Sequence, residues 1–326
     1  MEGMPVPALG EIESMARRLL NRQPNRVARH RLLRDVLRLP PASTDLQTAR
    51  TQLLAHPWVE ELVRDQHIDG SWGRFHSMDS SVKNRFPTSE FAVRRALALG
   101  LDKDAPPLTQ AVAFMERVLS GDAVWSDRVE KSEGWPIGVQ TITAVTLAQI
   151  DPSHPAVLPA WEYWLRIAGG SFPGGSYDPS VEWQSHKKTR GIGIIYLASR
   201  YTLTLLAAQS TVLPAELESR IVDWIWHNPA GIGYLGVDLR QPATKRIQIW
   251  LESNEILSGF HSWRKVALEA IQWLWNQRNS DGLWDFGSKV SPCPYFPLSD
   301  DWRKTGNRSL DHSTRVLVLL RKFLHD

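Results

Sequence analysis

The chain has 326 residues, 42% of them apolar and 22% charged, with a formal net charge of +3. That is the profile of a globular protein long enough for a large buried core, and so mild a charge does not point to nucleic acid as a partner. A lone cysteine, Cys293, rules out an intrachain disulfide. No stretch has the uninterrupted apolar length of a membrane span, and the opening residues lack the basic-then-apolar order of a signal peptide, so the expected location is cytoplasmic.

Helical periodicity runs through nearly the whole chain. Residues 9–21 and 26–39 read as two basic amphipathic helices, the second ended by Pro40-Pro41, and residues 44–55 as a third. Arg17, Arg18, Arg22, Arg26, Arg29, Arg31, Arg34 and Arg38 crowd this opening. They read as the solvated face of a packed helix pair, or as a patch for peripheral membrane contact or an anionic partner. Residues 1–56 are expected to pack on a repeat region spanning 57–326.

In that region a helix rich in Trp and Leu ends in a polar turn bearing Gly and Trp, and a second apolar helix follows. The clearest copies are Gln66-x-x-Asp69-Gly70-x-Trp72 and Gln277-x-x-x-Asp281-Gly282-x-Trp284. Weaker ones lie at Gly134-Trp135, at 169–177 after the Trp161/Trp164 helix, and at 231–234 after the Trp224/Trp226 helix. Gly at the turn accepts the left-handed conformation that stops a helix. The Gln side chain is expected to bond orphan groups at the helix end, and the Trp to cover the joint between layers. Helical hairpins of this kind must stack to bury their apolar faces, so one domain is expected.

The two clear turns resemble the Gln-Trp motifs of squalene–hopene cyclases, and the chain is identified as similar to stand-alone bacterial members of the prenyltransferase/squalene-cyclase-repeat superfamily. The segments Leu298-Ser299-Asp300-Asp301-Trp302-Arg303 and Asp311-His312-Ser313-Thr314-Arg315 carry further likeness. The resemblance implies an all-α fold, an α/α toroid with an inner ring of helices around a central cavity and extra N-terminal helices. Fold alone does not settle function.

In class II terpene cyclases of that superfamily, an Asp-x-Asp-Asp motif supplies a protonated acid. The equivalent here, Ser309-Leu310-Asp311-His312, keeps only Asp311, with His312 beside it. A proton donor needs burial that raises its pKa; Asp311 also reads as an N-cap or first-turn residue of the helix ending near Phe323, or as a ligand contact. Thr88-Ser89-Glu90 opens another inner helix over 91–99, where Ser89 or Thr88 reads as a cap. Glu252 and Glu255 interrupt the apolar run 247–257 and must face solvent or a wet cavity. Gln140 belongs to a helix over 138–150. For an anionic substrate group, His186, Lys187, Lys188 and Arg190 precede a helix over 192–209, and Lys245 and Arg246 precede the next; each set also reads as a solvated loop. The superfamily's protein prenyltransferases hold zinc on Asp, Cys and His, but Ser291 stands two residues before Cys293, and a two-cysteine site is unavailable, so neither metal nor cofactor is expected.

Two functions follow as expectations. One is a terpene-cyclase-like enzyme acting on an isoprenoid or other small apolar substrate in an aromatic-lined cavity by acid-initiated cyclisation. Asp311, His312, Glu252 and Glu90 are its candidate catalytic groups. Trp135, Gln140, Trp183, His186, Arg190, Arg246, Trp250 and Glu255 are its candidate binding groups, with aromatic faces stabilising carbocations. The alternative is a non-catalytic isoprenoid- or lipid-binding or scaffold toroid that lacks the full acid motif.

Overall fold

Helix-starting and helix-stopping residues set most of the boundaries in the computed structural model, which describes residues 6–78, 86–129, 134–188, 195–242, 244–290 and 297–324. Near the N-terminus lie α1 (Leu9–Asn21), α2 (Arg26–Arg31), which runs on as a π-helical turn over Leu32–Val36, and α3 (Thr44–Leu54). There follow α4 (Pro57–Arg64), α5 (Ser89–Leu99), α6 (Pro106–Ser120), α7 (Trp135–Ile150), α8 (Leu158–Gly170) and α9 (Pro179–Lys188). The rest are α10 (Arg200–Ala208), α11 (Ala215–His227), α12 (Ile247–Leu257), α13 (Trp263–Val266), α14 (Leu268–Asn276) and α15 (Thr305–Phe323). Among the described residues the protein is all-α, with one isolated β-bridge between Ser199 and Gly233, and no helix is long and apolar enough to cross a membrane.

Side-chain caps explain several starts. Asn25 accepts from the Ala28 amide, Thr88 from Phe91 and Ser199 from Thr202, each relieving one of the unpaired first-turn donors. The Ser199 cap also explains why the helix predicted over 192–209 begins only at Arg200; residues 191–194 lie outside the described set. The helix predicted over 26–39 loses its α geometry after Arg31, passing through the π-helical turn to Arg38, which sits at φ +50°.

The two Gln-Trp turns share one device and differ in another. Gln277 donates to the Trp273 carbonyl at 3.4 Å in the last turn of α14, the task expected of the glutamine, and in both turns the indole N–H satisfies a carbonyl of the preceding helix. Trp72 donates to the Leu62 carbonyl at 2.9 Å in α4, and Trp284 to the Leu274 carbonyl at 2.7 Å in α14. Each Trp backbone N–H then donates to a serine on the α-helix that follows, Ser89 of α5 at 2.8 Å and Ser313 of α15 at 3.1 Å. One residue thereby ties together the two arms of each hairpin. Gln66 reaches instead across the turn to the carbonyls of Gly70 and Pro107. Gly70 is at φ +92° with its α-carbon against the Gln110 carbonyl, where any Cβ would collide.

The arginines of the opening have a comparable task. Arg26 donates to the Ala55 carbonyl just past α3, and Arg31 and Arg34 donate to the carbonyls of Ala98 and Gly100 at the end of α5. Cations at helix C-termini meet both unpaired carbonyls and the negative end of the helix dipole. In return, Arg321 of α15 donates to the Val36 carbonyl at 3.1 Å.

Packing follows the chain. α5 touches α7, α7 touches α10, α10 touches α12 and α12 touches α15, while α1, α2 and the π-helical turn pack on α15. The main apolar core runs from Ile12 to Phe323, with Trp164, Trp250, Trp263 and Trp284 fully buried in it, and a small second cluster gathers Leu33, Leu46 and Ala49. Indole rings are large and each carries one donor, so they serve as wedges wherever a carbonyl or hydroxyl is within reach. Trp164 bonds Thr141, Trp250 the Leu239 carbonyl and Trp263 Asn254.

Candidate functional site

The successive helices α5, α7, α10, α12 and α15 all contribute to one cavity of about 570 Å³. Its inner level is charged: Arg94 from α5, Arg200 from α10, Glu252 from α12 and Arg315 from α15. One to two turns further along each helix the lining becomes mainly aliphatic, with Leu97 and Ala98, Val145 and Ala148, Ala207 and Ala208, and Ile256, interrupted by Gln149, Thr204 and Glu255. At the outer level stand Arg38, Arg264 and Lys322, with Arg31 close by. From Arg315 to Lys322, or from Arg200 to Ala208, a rise of 1.5 Å per residue makes the cavity roughly 10–12 Å deep.

The two charged levels differ in balance. At the inner level Glu252 pairs with Arg94 and, at 3.6 Å, with Arg200. Arg200 also reaches Glu90 at 3.4 Å, and Glu90 accepts from or shares a proton with His76 at 2.8 Å. Arg315 donates to Gln248 at 2.8 Å. Glutamates and arginines thus alternate across α5, α10 and α12. Burial pulls the His76 imidazole down, but the hydrogen bond and charge of Glu90, with Asp127 adding to them, leave it raised overall. The outer level has no such alternation. Burial and the neighbouring guanidiniums of Arg321 and Arg264 press Arg38 below its usual value, with Asp35 opposing, and Asp35 is itself held by Arg31 and Arg34. Counting the described lining residues, six arginines and one lysine face two glutamates.

Of the residues expected from sequence, Glu252 and Glu255 line this cavity, and Glu90 stands one step behind it. The others fall elsewhere. Asp311 is neither a cap nor a first-turn residue, because α15 starts six residues earlier. Its Oδ2 accepts from the amides of Leu298 and Ser299 and from the Ser299 hydroxyl, which ties the 298–299 loop to α15. Its Oδ1 is buried without a hydrogen-bond partner. His312 accepts from the Phe286 amide. Trp250 is inside the wall, Arg246 clamps the carbonyls of Leu235 and Gly236, and His186 is buried between Glu182 and Tyr163. Trp183 is 38% exposed on α9. Trp135 and Gln140 line a second concavity. Arg190 and Cys293 lie outside the described residues, as do the side chains of Lys187 and Lys188. No group of three metal-binding side chains occurs among the described residues.

The expectation of an aromatic-lined cavity is corrected as well: Tyr201 is the one aromatic ring among the described lining residues. Trp72, Trp164, Trp250, Trp263 and Trp284 are spent at the joints between elements, where their N–H groups find partners. Sequence reasoning missed Arg94 and Arg315, although the signal that exposed Glu252, a charge inside an otherwise apolar helix, is present for both.

Burial pushes the Asp311 carboxyl up from 3.8 to about 6, against the opposing pull of its loop hydrogen bonds and Arg315, and burial draws His312 down from 6.5 to about 4. Between those limits the folded protein binds more protons at Asp311 than the unfolded chain does, so this group's contribution to stability falls as pH rises from about 4 through 6. His312 acts in the opposite sense over 6.5 down to 4, masking the slope. Asp311→Asn is therefore expected to gain on wild type by roughly 2–3 kcal/mol between pH 4 and 7, read from urea unfolding at several pH values. A difference that stays constant with pH would contradict a raised carboxyl.

No family model, curated protein or solved structure matches this chain.

Proposed function

We propose that the five cavity-forming helices are the inner ring of an α/α toroid, and that its lumen binds an amphipathic anion, a short isoprenoid diphosphate being the class that suits both its charge and its wall. The observation that carries this reading is the gradation along the cavity: a balanced ladder of ions inside, an aliphatic belt, and an outer level where Arg38, Arg264 and Lys322 face no carboxylate within ion-pair distance among the described residues. Guanidiniums grip phosphate oxygens in bidentate fashion, while a small apolar body gains by leaving water against the belt. The resemblance of the Gln-Trp turns to cyclase repeats supports the same class of ligand.

Acid-initiated cyclisation by Asp311 gains no support from a carboxyl whose Oδ2 is taken by the 298–299 loop and which is not among the cavity-lining residues. Any proton transfer in the lumen falls to Glu255, since Glu252 is committed to two guanidiniums.

Calorimetric titration with geranyl diphosphate, inorganic pyrophosphate and geraniol tests the reading. The ester is expected to bind at least about tenfold more tightly than either fragment, and Arg264→Glu to weaken it roughly tenfold to a hundredfold, the range of a lost charge-assisted bond. Equal affinity for pyrophosphate and the ester would remove the aliphatic belt from the account, and no binding of any of the three would remove the reading. Mass spectrometry of the same mixtures shows whether the bound ester is turned over.

A further inference from the structure

The second concavity, about 430 Å³, lies where the end of α6 meets the start of α7. Its chemistry is opposite to that of the lumen. Trp125 and Trp135 meet edge to face in it, ring centres 5.7 Å apart at 86°. Trp125 is fixed from behind by stacking on Phe75 at 4.6 Å and by its N–H bond to Thr143 at 3.1 Å. Leu119 and Val139 supply an aliphatic floor. Asp127 is the one charged group among the described lining residues, and it is held in place by the amides of Phe75, His76 and Ser77. Val124 and Val129, 84% and 78% exposed, stand at the rim.

We infer that this concavity is a binding site for an organic ammonium group carried on a compact apolar body, an arylalkylamine in its simplest form. Two indole rings offer the negative quadrupole that attracts a cation. The buried carboxylate offers the opposite charge, and its three amide bonds fix it without cancelling it. The aliphatic remainder rewards an apolar body. An anion would meet Asp127 with no cation in the described lining to offset it, and a neutral ligand would leave that carboxylate without a counter-charge in a partly dehydrated pocket. The site is independent of the lumen, which selects for the other sign of charge.

Titration of the whole protein with phenethylammonium, phenethyl alcohol and phenylacetate, followed by tryptophan fluorescence and calorimetry, decides the matter. Phenethylammonium is expected to bind roughly tenfold more tightly than the isosteric alcohol, and phenylacetate most weakly. Trp135→Leu, at a partly exposed position, is expected to abolish the preference for the cation, and Arg264→Glu in the lumen to leave it unchanged. Asp127→Asn should weaken the ammonium more than the alcohol; because Asp127 also anchors the 75–77 loop, its fold is checked by circular dichroism, and Trp135→Leu remains decisive if that variant unfolds. Alcohol binding as tightly as the ammonium, a preference that survives Trp135→Leu, or no binding of the ammonium at millimolar concentration would each overturn the inference.

Discussion

Trp284→Ala is expected to cost about 3–5 kcal/mol of unfolding free energy, the usual loss when a large aromatic is removed from a packed core. The ring is fully buried, so its deletion leaves a void that the surrounding helices fill only in part. The same change strips the Leu274 carbonyl of one of its two donors at the end of α14, the Gln277 amide remaining, and a lost hydrogen bond of this kind adds about 0.5–1.5 kcal/mol. Trp284→Phe separates the two effects, keeping most of the apolar volume while deleting the N–H. Urea unfolding of both variants measures them. A loss below about 1 kcal/mol for the alanine variant would mean that the Gln-Trp turn does not hold its hairpin together.

Glu252→Leu is the second large effect expected. The Glu252 side chain is 8% exposed, and its partners Arg94 and Arg200 are 9% and 14% exposed. Removing one member of a buried ionic set withdraws the compensation of the rest, typically at about 3–5 kcal/mol. Glu90 then faces Arg200 with the balance tipped toward positive charge, so the loss of stability is expected to come with tighter binding of anions in the lumen. Glu252→Gln keeps hydrogen-bonding capacity and should fall between the leucine variant and wild type. A leucine variant as stable as wild type would show that cavity water already compensates the arginines.

Much of the fold was legible because its signals are local. The apolar run 247–257 is α12 to the residue, and Asp69-Gly70 and Asp281-Gly282 mark turns where the structure has them. Boundaries slipped where a single side chain decides them, as at Ser199, whose cap delays α10 to Arg200. Asp311 was misread for a related reason: a short polar run before an apolar helix looks like a start, but α15 extends back through it to Thr305. Its carboxylate serves a loop more than ten residues away in sequence.

The site was legible only in part because its pairings are long-range. Glu90 meets Arg200 across 110 residues, and Arg94 meets Glu252 across 158. Helical periodicity shows that a charge is misplaced on an apolar face; it does not show which charge answers it. The opening arginines are another instance. Their number read as a solvated face or an external patch; Arg26, Arg31 and Arg34 are engaged by helix-end carbonyls of the same chain, while Arg38 stays at the cavity mouth.

A crystal structure of the protein soaked with geranyl diphosphate tests the lumen reading most directly. The account predicts the diphosphate within hydrogen-bonding distance of Arg38 and Arg264, with the geranyl chain lying inward along Val145, Ala148 and Ala207. Ligand density confined to the outer surface, or a diphosphate seated at the inner level between Arg94 and Arg200, would contradict it.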